Sequence, residues 1–495
     1  MSNTLYDALI APHAQDETGF LVLDDGTTLT YAAFVARVAQ LAHVLHNNGV
    51  KPGDRVVVQT PKLADAIALY GATIQTGSIY LPLNTAYTQS EVSYFIGDAA
   101  PALVVCDAGT YAEMVETCGQ TQVLTLSNDG TGTLGTAADA APTTFETVAR
   151  GPDDLAALLY TSGTTGRSKG AMLSHKNLLS NAQSLTDLWQ ITDQDRLIHA
   201  LPIFHTHGLF VAMNTCLLAG AQVRFMAAFD VDAIIEELPR STMLMGVPTF
   251  YTRLLGDARL TRDAVANMRL FISGSAPLLA ETHTAFEERT GQRILERYGM
   301  TETNMITSNP FDGERVAGTV GYALPGTEVE ITENGVPVAA DEIGMIEVRG
   351  DNVFQGYWNM PEKTAEELRD SGFFITGDLG VKSADGRVSI VGRQKDLIIS
   401  GGYNIYPKEI EDVINDVTGV VESAVFGVPH PDFGESVIAA VVLSDTSLTG
   451  ANIATMIEPH LARFKHPRRY IVLDSLPRNT MGKVQKNVLR DQHSG

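Results

Sequence analysis

The chain has 495 residues, 44% hydrophobic and 19% charged, and its 35 Lys and Arg against 58 Asp and Glu leave a net charge of -23. That length exceeds one ordinary hydrophobic core and predicts two or more domains. The acidic balance argues against duplex nucleic acid or an anionic membrane as a partner, so a polyanionic substrate must be met by a local concentration of donors.

The opening MSNTLYDALIAP has neither a basic segment nor a long apolar run, and no later stretch reaches the length of a membrane span. A cytoplasmic location is expected. DRVVVQT followed by PKLADAIALYGATIQTG reads as strand then helix, and YFIGDAA followed by PALVVCD as helix then strand, which is α/β patterning. From Gly119 to Asp154, Gly, Thr and Ala dominate and a surface excursion is expected before the core resumes at Leu155. Cys106, Cys118 and Cys216 lack paired spacing, which argues against a disulfide framework and a cysteine zinc site.

The segment LYTSGTTGRSKGAMLSH, residues 159–175, concentrates chemistry. Gly163 and Gly166 allow successive N–H groups to point into one concavity; Thr161, Ser162, Thr164 and Thr165 add hydroxyl donors, and Lys169 adds a point charge. Leu178, Ala182, Leu185 and Trp189 then recur at helical spacing, so the order is strand, anion-type loop, helix. It differs from the Walker pattern, because Lys169 follows Gly166 by three residues and is itself followed by glycine.

Farther on, IHALPIFHTHGLF brings His199, His205 and His207 close in sequence, without the fourth ligand spacing a metal site needs. SGSAP is not the G-x-S-x-G of a serine hydrolase elbow. Between Gly318 and Arg393 short alternating runs with frequent Gly read as a β-rich, barrel-like section, and after Arg393 a small α+β unit begins. From His460 onward eight basic residues (Arg463, Lys465, Arg468, Arg469, Arg478, Lys483, Lys486, Arg490) face two acids (Asp474, Asp491), which sets this module apart by charge.

Six ordered motifs carry a resemblance over nearly the whole chain: YTSGTTGRSKG, SGSAPL at 273–278, ERYGMTE at 296–302, ITGDLG at 375–380, GRQKDLIISGGYNIYPKEIE at 392–411 and PRNTMGKVQK at 477–486. The chain resembles the adenylate-forming enzymes that include the acyl-CoA synthetases, and within them most of all those that activate malonate. The resemblance implies a large N-terminal domain, 1–393, of α/β layers with the β-rich section, and a small mobile C-terminal domain, 394–495. It implies ATP, magnesium and coenzyme A as cofactors and co-substrates, and an acyl-AMP intermediate.

By resemblance the 161–169 loop cradles the β and γ phosphates. Gly274, Ser275 and Ala276, with Tyr298, Gly299 and Met300, line the adenine and α-phosphate pocket, and Asp378 and Arg393 meet the nucleotide sugar. Read by itself, TGDLG is a turn. Glu302 falls at the family's magnesium ligand, Thr301 donates to phosphate, and Lys483 bridges substrate carboxylate and α-phosphate during adenylation. Lys395 falls at the hinge, while Gly401, Gly402 and Tyr403 belong to the segment that faces the thiol. The chain runs only a short way past Lys483 with no GGxS attachment site, so a free thiol, coenzyme A, is expected rather than an attached carrier domain.

For the acid, GVPTFYTRLLGD reads as a helix opening at Pro248, with Val247, Phe250, Tyr251 and Leu254 on one face and Thr249 and Arg253 on another. By its spacing alone Arg253 is an arginine on a solvated face. By resemblance it holds a distal carboxylate, and His207 and Ser275 contact substrate; Met305, just past TETN, reads either as the limit of the pocket's depth or as ordinary core packing. A monocarboxylate or methylmalonate remains the alternative acid.

Overall fold

The computed structural model describes residues 2–161, 168–400, 403–431, 433–445, 447–479 and 482–494. Among these, strands form four sheets. The strand Arg55–Gln59 sends Val56 and Val58 into one apolar cluster and Val57 into another, the two-residue period of a strand covered on both faces. It sits in a six-stranded sheet in the order Gln122–Thr125, Leu103–Cys106, Arg55–Gln59, Ile79–Pro82, Leu155–Thr161, Lys169–Ser174, parallel but for the last pair.

The second sheet has nine strands, and its centre is parallel: Leu295–Met300, Leu270–Ser273, Met243–Gly246, Arg196–His199, Gln222–Phe225 and Gly19–Val22 lie side by side. The helix Ala64–Thr76 is buried from Ala66 to Thr76 and packs on Tyr31–Asn47. Both helices share one apolar cluster with residues of the two sheets, such as Val58 and Leu197. A helix this apolar on all sides forms only as an inner layer.

Two expectations are corrected. The stretch 119–154 is more than a surface excursion: Gln122–Thr125 is an edge strand, and Leu126, Leu134 and Ala138 are buried, the last two on the helix Thr133–Asp139. The β-rich section is not a barrel but an open antiparallel sheet with Val336–Pro337 and Val388–Arg393 at its edges and Thr327–Glu333, Gly344–Gly350 and Phe374–Lys382 between.

Beyond the 3₁₀ turn Gln394–Asp396, the paired strands Val420–His430 and Gly434–Leu443 form the centre of a small sheet, joined in parallel by Arg469–Leu473. Alternation again divides their side chains: Ala424, Phe426 and Val428 pack with Leu489 of the helix Lys486–His493, whereas Val425 packs with Ile410 and Ile414 of Pro407–Asn415. Half of the eight basic residues of the tail pair with acids here. Lys465 pairs with Glu409, Arg478 with Glu422, Lys486 with Glu411 and Arg490 with Asp396. No helix among the described residues is long and apolar enough to cross a membrane.

Candidate active site

Several candidate residues lie at or just beyond the carboxyl ends of the parallel strands, the usual place for a ligand in an open α/β sheet. Thr161 ends its strand, and Lys169 begins the antiparallel partner opposite it. Ser162, Gly163, Thr164, Thr165 and Gly166 lie outside the described residues, as do Gly401 and Gly402. Lys169 Nζ reaches Glu367 at 3.1 Å and Tyr357 Oη at 3.0 Å. The same hydroxyl lies 2.6 Å from Glu367 and 3.0 Å from the buried Glu302.

Burial and the neighbouring Glu367 raise the Glu302 carboxyl's pKa, against the opposing effects of Tyr357 and Lys169. A buried carboxylate under that strain suits a divalent cation. Among the described residues no group of three or more His, Cys, Asp or Glu is placed to hold one. Glu302 thus fits a magnesium ion that takes its remaining ligands from phosphate and water, the ordinary habit of that ion.

Gly274, Ser275 and Ala276 follow the strand Leu270–Ser273. Ser275 has φ of 70°, a left-handed conformation unusual for a residue with a side chain and one that clusters at functional sites. Its Oγ lies 3.2 Å from His207 Nδ1. His207 is buried, its Nε2 has no partner among the described residues, and burial with the nearby Arg297 holds its pKa well below the ordinary value. His205 lies alongside, lowered to about 3 by burial and by the charges of Lys483 and Arg297.

Tyr298, Gly299 and Met300 end the strand Leu295–Met300, and Thr301 and Glu302 turn the chain into Asn304–Ser308, where Met305 is buried. A Cβ on Gly299 would fall 2.1 Å from the Asn304 carbonyl, so the turn requires glycine. Tyr298 Oη donates to Asp378 Oδ2 at 2.5 Å, and Asp378 Oδ1 pairs with Arg393 Nε at 2.6 Å. The loop after Arg478 brings Lys483 to the same place: its amine interacts with Arg393, Asp378, Glu302 and Arg297. Burial and Arg393 lower its pKa, although the residue keeps surface open to water in the cleft, which screens these charges. A Cβ on Gly482 would lie 3.9 Å from Thr249 Oγ1, so this loop closes against the helix Pro248–Leu255.

That helix has the predicted faces. Phe250, Tyr251 and Leu254 are buried, while Arg253 is exposed with its guanidinium 5.6 Å over Phe229. Sequence reasoning missed Arg297. It is buried, its Nε and Nη2 have no hydrogen-bond partner among the described residues, and burial lowers its pKa to about 9. The guanidinium lies so close to Gly274 that a Cβ there would fall 2.4 Å from Arg297 Cζ. An unpaired buried guanidinium costs several kcal/mol, and an anion beside Ser275 and His207 would remove most of that cost. Its signal was the adjacent charged pair Glu296 and Arg297 inside the strand LERYGM. Lys395 lies in the exposed turn Gln394–Asp396, and Tyr403 is exposed and stacked on Phe464 with ring centres 4.5 Å apart.

The arrangement brings a lysine, a buried carboxylate and a buried arginine within electrostatic reach of one another. Residues 11–358 match the family described as AMP-binding enzyme, and residues 409–483 match AMP-binding enzyme C-terminal domain. The chain belongs to the AMP-binding enzymes. Within the family it is 35% identical to a feruloyl-CoA synthase from Amycolatopsis, over 98% of this chain and 96% of that protein. It is 33% identical to a malonate–CoA ligase from Arabidopsis thaliana, over 89% and 78%. Among solved structures of AMP-binding enzymes, ATP-bound MatB from Rhodopseudomonas palustris superposes with a TM-score of 0.98 at 54% identity, covering 100% of this chain and 99% of that one. Apo MatB, over the same share of each chain, superposes at 0.87.

Proposed function

We propose that the protein joins malonate to coenzyme A through malonyl-AMP, consuming ATP and releasing AMP and pyrophosphate. The observation that carries this reading is the buried, unpaired Arg297 beside Ser275 and His207, supported by the similarity to a malonate–CoA ligase and to MatB. A pocket walled by an uncompensated cation suits an acid with a second carboxylate and opposes a purely apolar acyl group. Arg297 takes that carboxylate on the inner side, and Arg253 meets it from the mouth of the cleft.

A carboxylate is a poor electrophile until it gains a leaving group, and AMP is that group. As the substrate oxygen attacks the α-phosphate, charge develops on the phosphoryl oxygens, and donors already in place meet it. Lys483 bridges the attacking carboxylate and the α-phosphate. The 161–169 loop, with Lys169, holds the β and γ phosphates. Gly274, Ser275 and Ala276 with Tyr298, Gly299 and Met300 enclose the adenine and α-phosphate, and Asp378 and Arg393 hold the ribose. Thr301 donates to phosphate, and Glu302 is the protein ligand of magnesium, which when bound neutralises charge on the phosphates. Met305 forms the floor of the acid pocket.

The thiol must then reach the carbonyl that Lys483 guards. We place the domain boundary after Arg393 and the hinge at Lys395, so that residues 394–495 turn Lys483 away and bring Gly401, Gly402 and Tyr403 toward the thiol.

The experiment is ATP–pyrophosphate exchange with malonate, methylmalonate, succinate, acetate, octanoate and ferulate. Exchange confined to malonate and its methyl derivative is expected. A methyl group alters binding by only about 1–3 kcal/mol, whereas losing a group the site is built to hold costs on the order of 10⁴–10⁵ in specificity. Exchange with octanoate or ferulate but not malonate would overturn the assignment of the acid while leaving the adenylation chemistry standing.

A further inference from the structure

The strand Arg196–His199 ends in a fully buried histidine whose ring nitrogens are both engaged. His199 Nε2 lies 2.7 Å from the carbonyl of Gly208, and Nδ1 lies 2.8 Å from Lys62 Nζ. The ammonium also donates to the carbonyl of His199 at 2.8 Å and stands 4.5 Å from the centre of the Phe225 ring. A carbonyl only accepts, so Nε2 carries the ring proton, which makes Nδ1 the acceptor and Lys62 the donor. Lys62 is half-buried on the wall of a cavity of about 170 Å³ lined also by Thr60, Tyr80, Leu83, Ile203 and Phe204.

Gly208 is the second residue of the π-helix His207–Met213. Such turns are rare and recur at functional sites. A Cβ on Gly208 would fall 2.0 Å from the carbonyl of Pro202, so the turn is packed without slack. One residue earlier is His207, whose Nδ1 meets Ser275 Oγ at 3.2 Å. The hydrogen-bonded path thus runs from Lys62 through His199 to the Gly208 carbonyl, and from the adjoining His207 to Ser275.

We propose that Lys62 and His199 form a strut that fixes the proton of His199 on Nε2, ties down the first turn of the π-helix and thereby sets His207 against Ser275. Both are positioning residues for the acid pocket. A donor on Nδ1 excludes the alternative tautomer, just as the partner of one imidazole nitrogen fixes the state of the other in histidine sites generally. Without Lys62 the Gly208 carbonyl alone holds the proton on Nε2, the buried Nδ1 loses its donor, and the ring's hold on the π-helix is weakened. This inference rests on the reading that the acid lies against His207.

The test compares Lys62→Met, Lys62→Arg, His199→Phe and His207→Ala with the wild-type chain in malonate-dependent ATP–pyrophosphate exchange. Lys62→Met is expected to raise KM for malonate about tenfold, the factor for one charge-assisted hydrogen bond, with KM for ATP unchanged. Lys62→Arg is expected to restore most of the loss. In protein labelled with ¹⁵N-histidine, the His199 ring signals, assigned by their absence in His199→Phe, should show Nε2–H in the wild type, with the Nδ1 resonance shifted in Lys62→Met as its donor is lost. An unchanged malonate KM in Lys62→Met, or equal rises for malonate and ATP, would overturn the strut. If His207→Ala leaves malonate KM unchanged, the acid does not lie against His207 and both readings fall. If His207→Ala raises it while Lys62→Met does not, only the strut falls.

Discussion

Substituting Arg297 by Met removes a buried guanidinium while keeping most of its apolar length, and its two consequences have opposite sign. Burial lowers the pKa of Arg297 from 12.5 to about 9, a difference equivalent to at most ~5 kcal/mol. Relaxation and water in the cleft reduce the realised penalty below that bound, to several kcal/mol. Without malonate, Arg297→Met should therefore raise the thermal unfolding midpoint at neutral pH. With malonate the order reverses. Wild-type protein gains stability from the bound acid, and the variant does not. Malonate-dependent exchange should fall from about thirtyfold to several thousandfold, the range for removing one partner of a buried charge pair. The assay is thermal unfolding with and without malonate and with and without MgATP, the nucleotide shift reporting whether the loss is confined to the acid. A variant that melts lower than wild type in the absence of acid yet keeps the malonate-induced shift would refute the argument.

Lys483→Ala should slow adenylation by on the order of 10²–10³, the loss of one transition-state donor, while thioester formation from supplied malonyl-AMP and coenzyme A stays near the wild-type rate. Equal losses in the two half-reactions, measured by single turnover, would remove Lys483 from the bridging role. Glu296 gives a pH prediction. Burial pushes its carboxyl up from 4.5 to about 7. Below pH 4.5 the folded and unfolded chains both hold the proton and there is no penalty. Between 4.5 and about 7 only the unfolded chain releases it, so stability is lost, reaching ~3 kcal/mol above that range. Glu296→Gln does not titrate, so its melting midpoint should rise relative to wild type between pH 5 and pH 8. A constant difference across that range would contradict the raised pKa.

The sequence made the α/β layering legible because strands buried on both faces must be apolar without interruption, as in VVV at 56–58. The helix at Pro248 was legible for the same reason, since its buried face repeats at helical spacing. Composition misled at 119–154: small residues can line an edge strand and a short helix as readily as a loop, and which they do depends on the sheet beside them. The β-rich section read as barrel-like because alternation reports strands and not closure, which depends on whether the edge strands meet. At the site, motif order pointed to the cleft, but Arg297 escaped notice because a charged residue inside a strand pattern defaults to the solvent face. Only the packing against Gly274 reveals that it points inward. The partners Lys62 and His199 lie far apart in the chain, and nothing local in either segment announces their contact.

The helix layer shared by the two large sheets determines where this protein can change shape. Ala64–Thr76 is solvent-free from Ala66 onward and belongs to the same cluster as strands from both sheets. Sliding one sheet over the other would break a close-packed interior, which resists gradual deformation. Thr161 on one sheet and Ser273 on the other are therefore held apart by one shared core. On the proposed reading, movement would fall instead on the domain that carries Lys483. The nucleotide and the acid would meet in a fixed vice, with timing left to a separate lever whose own small core can travel as a unit.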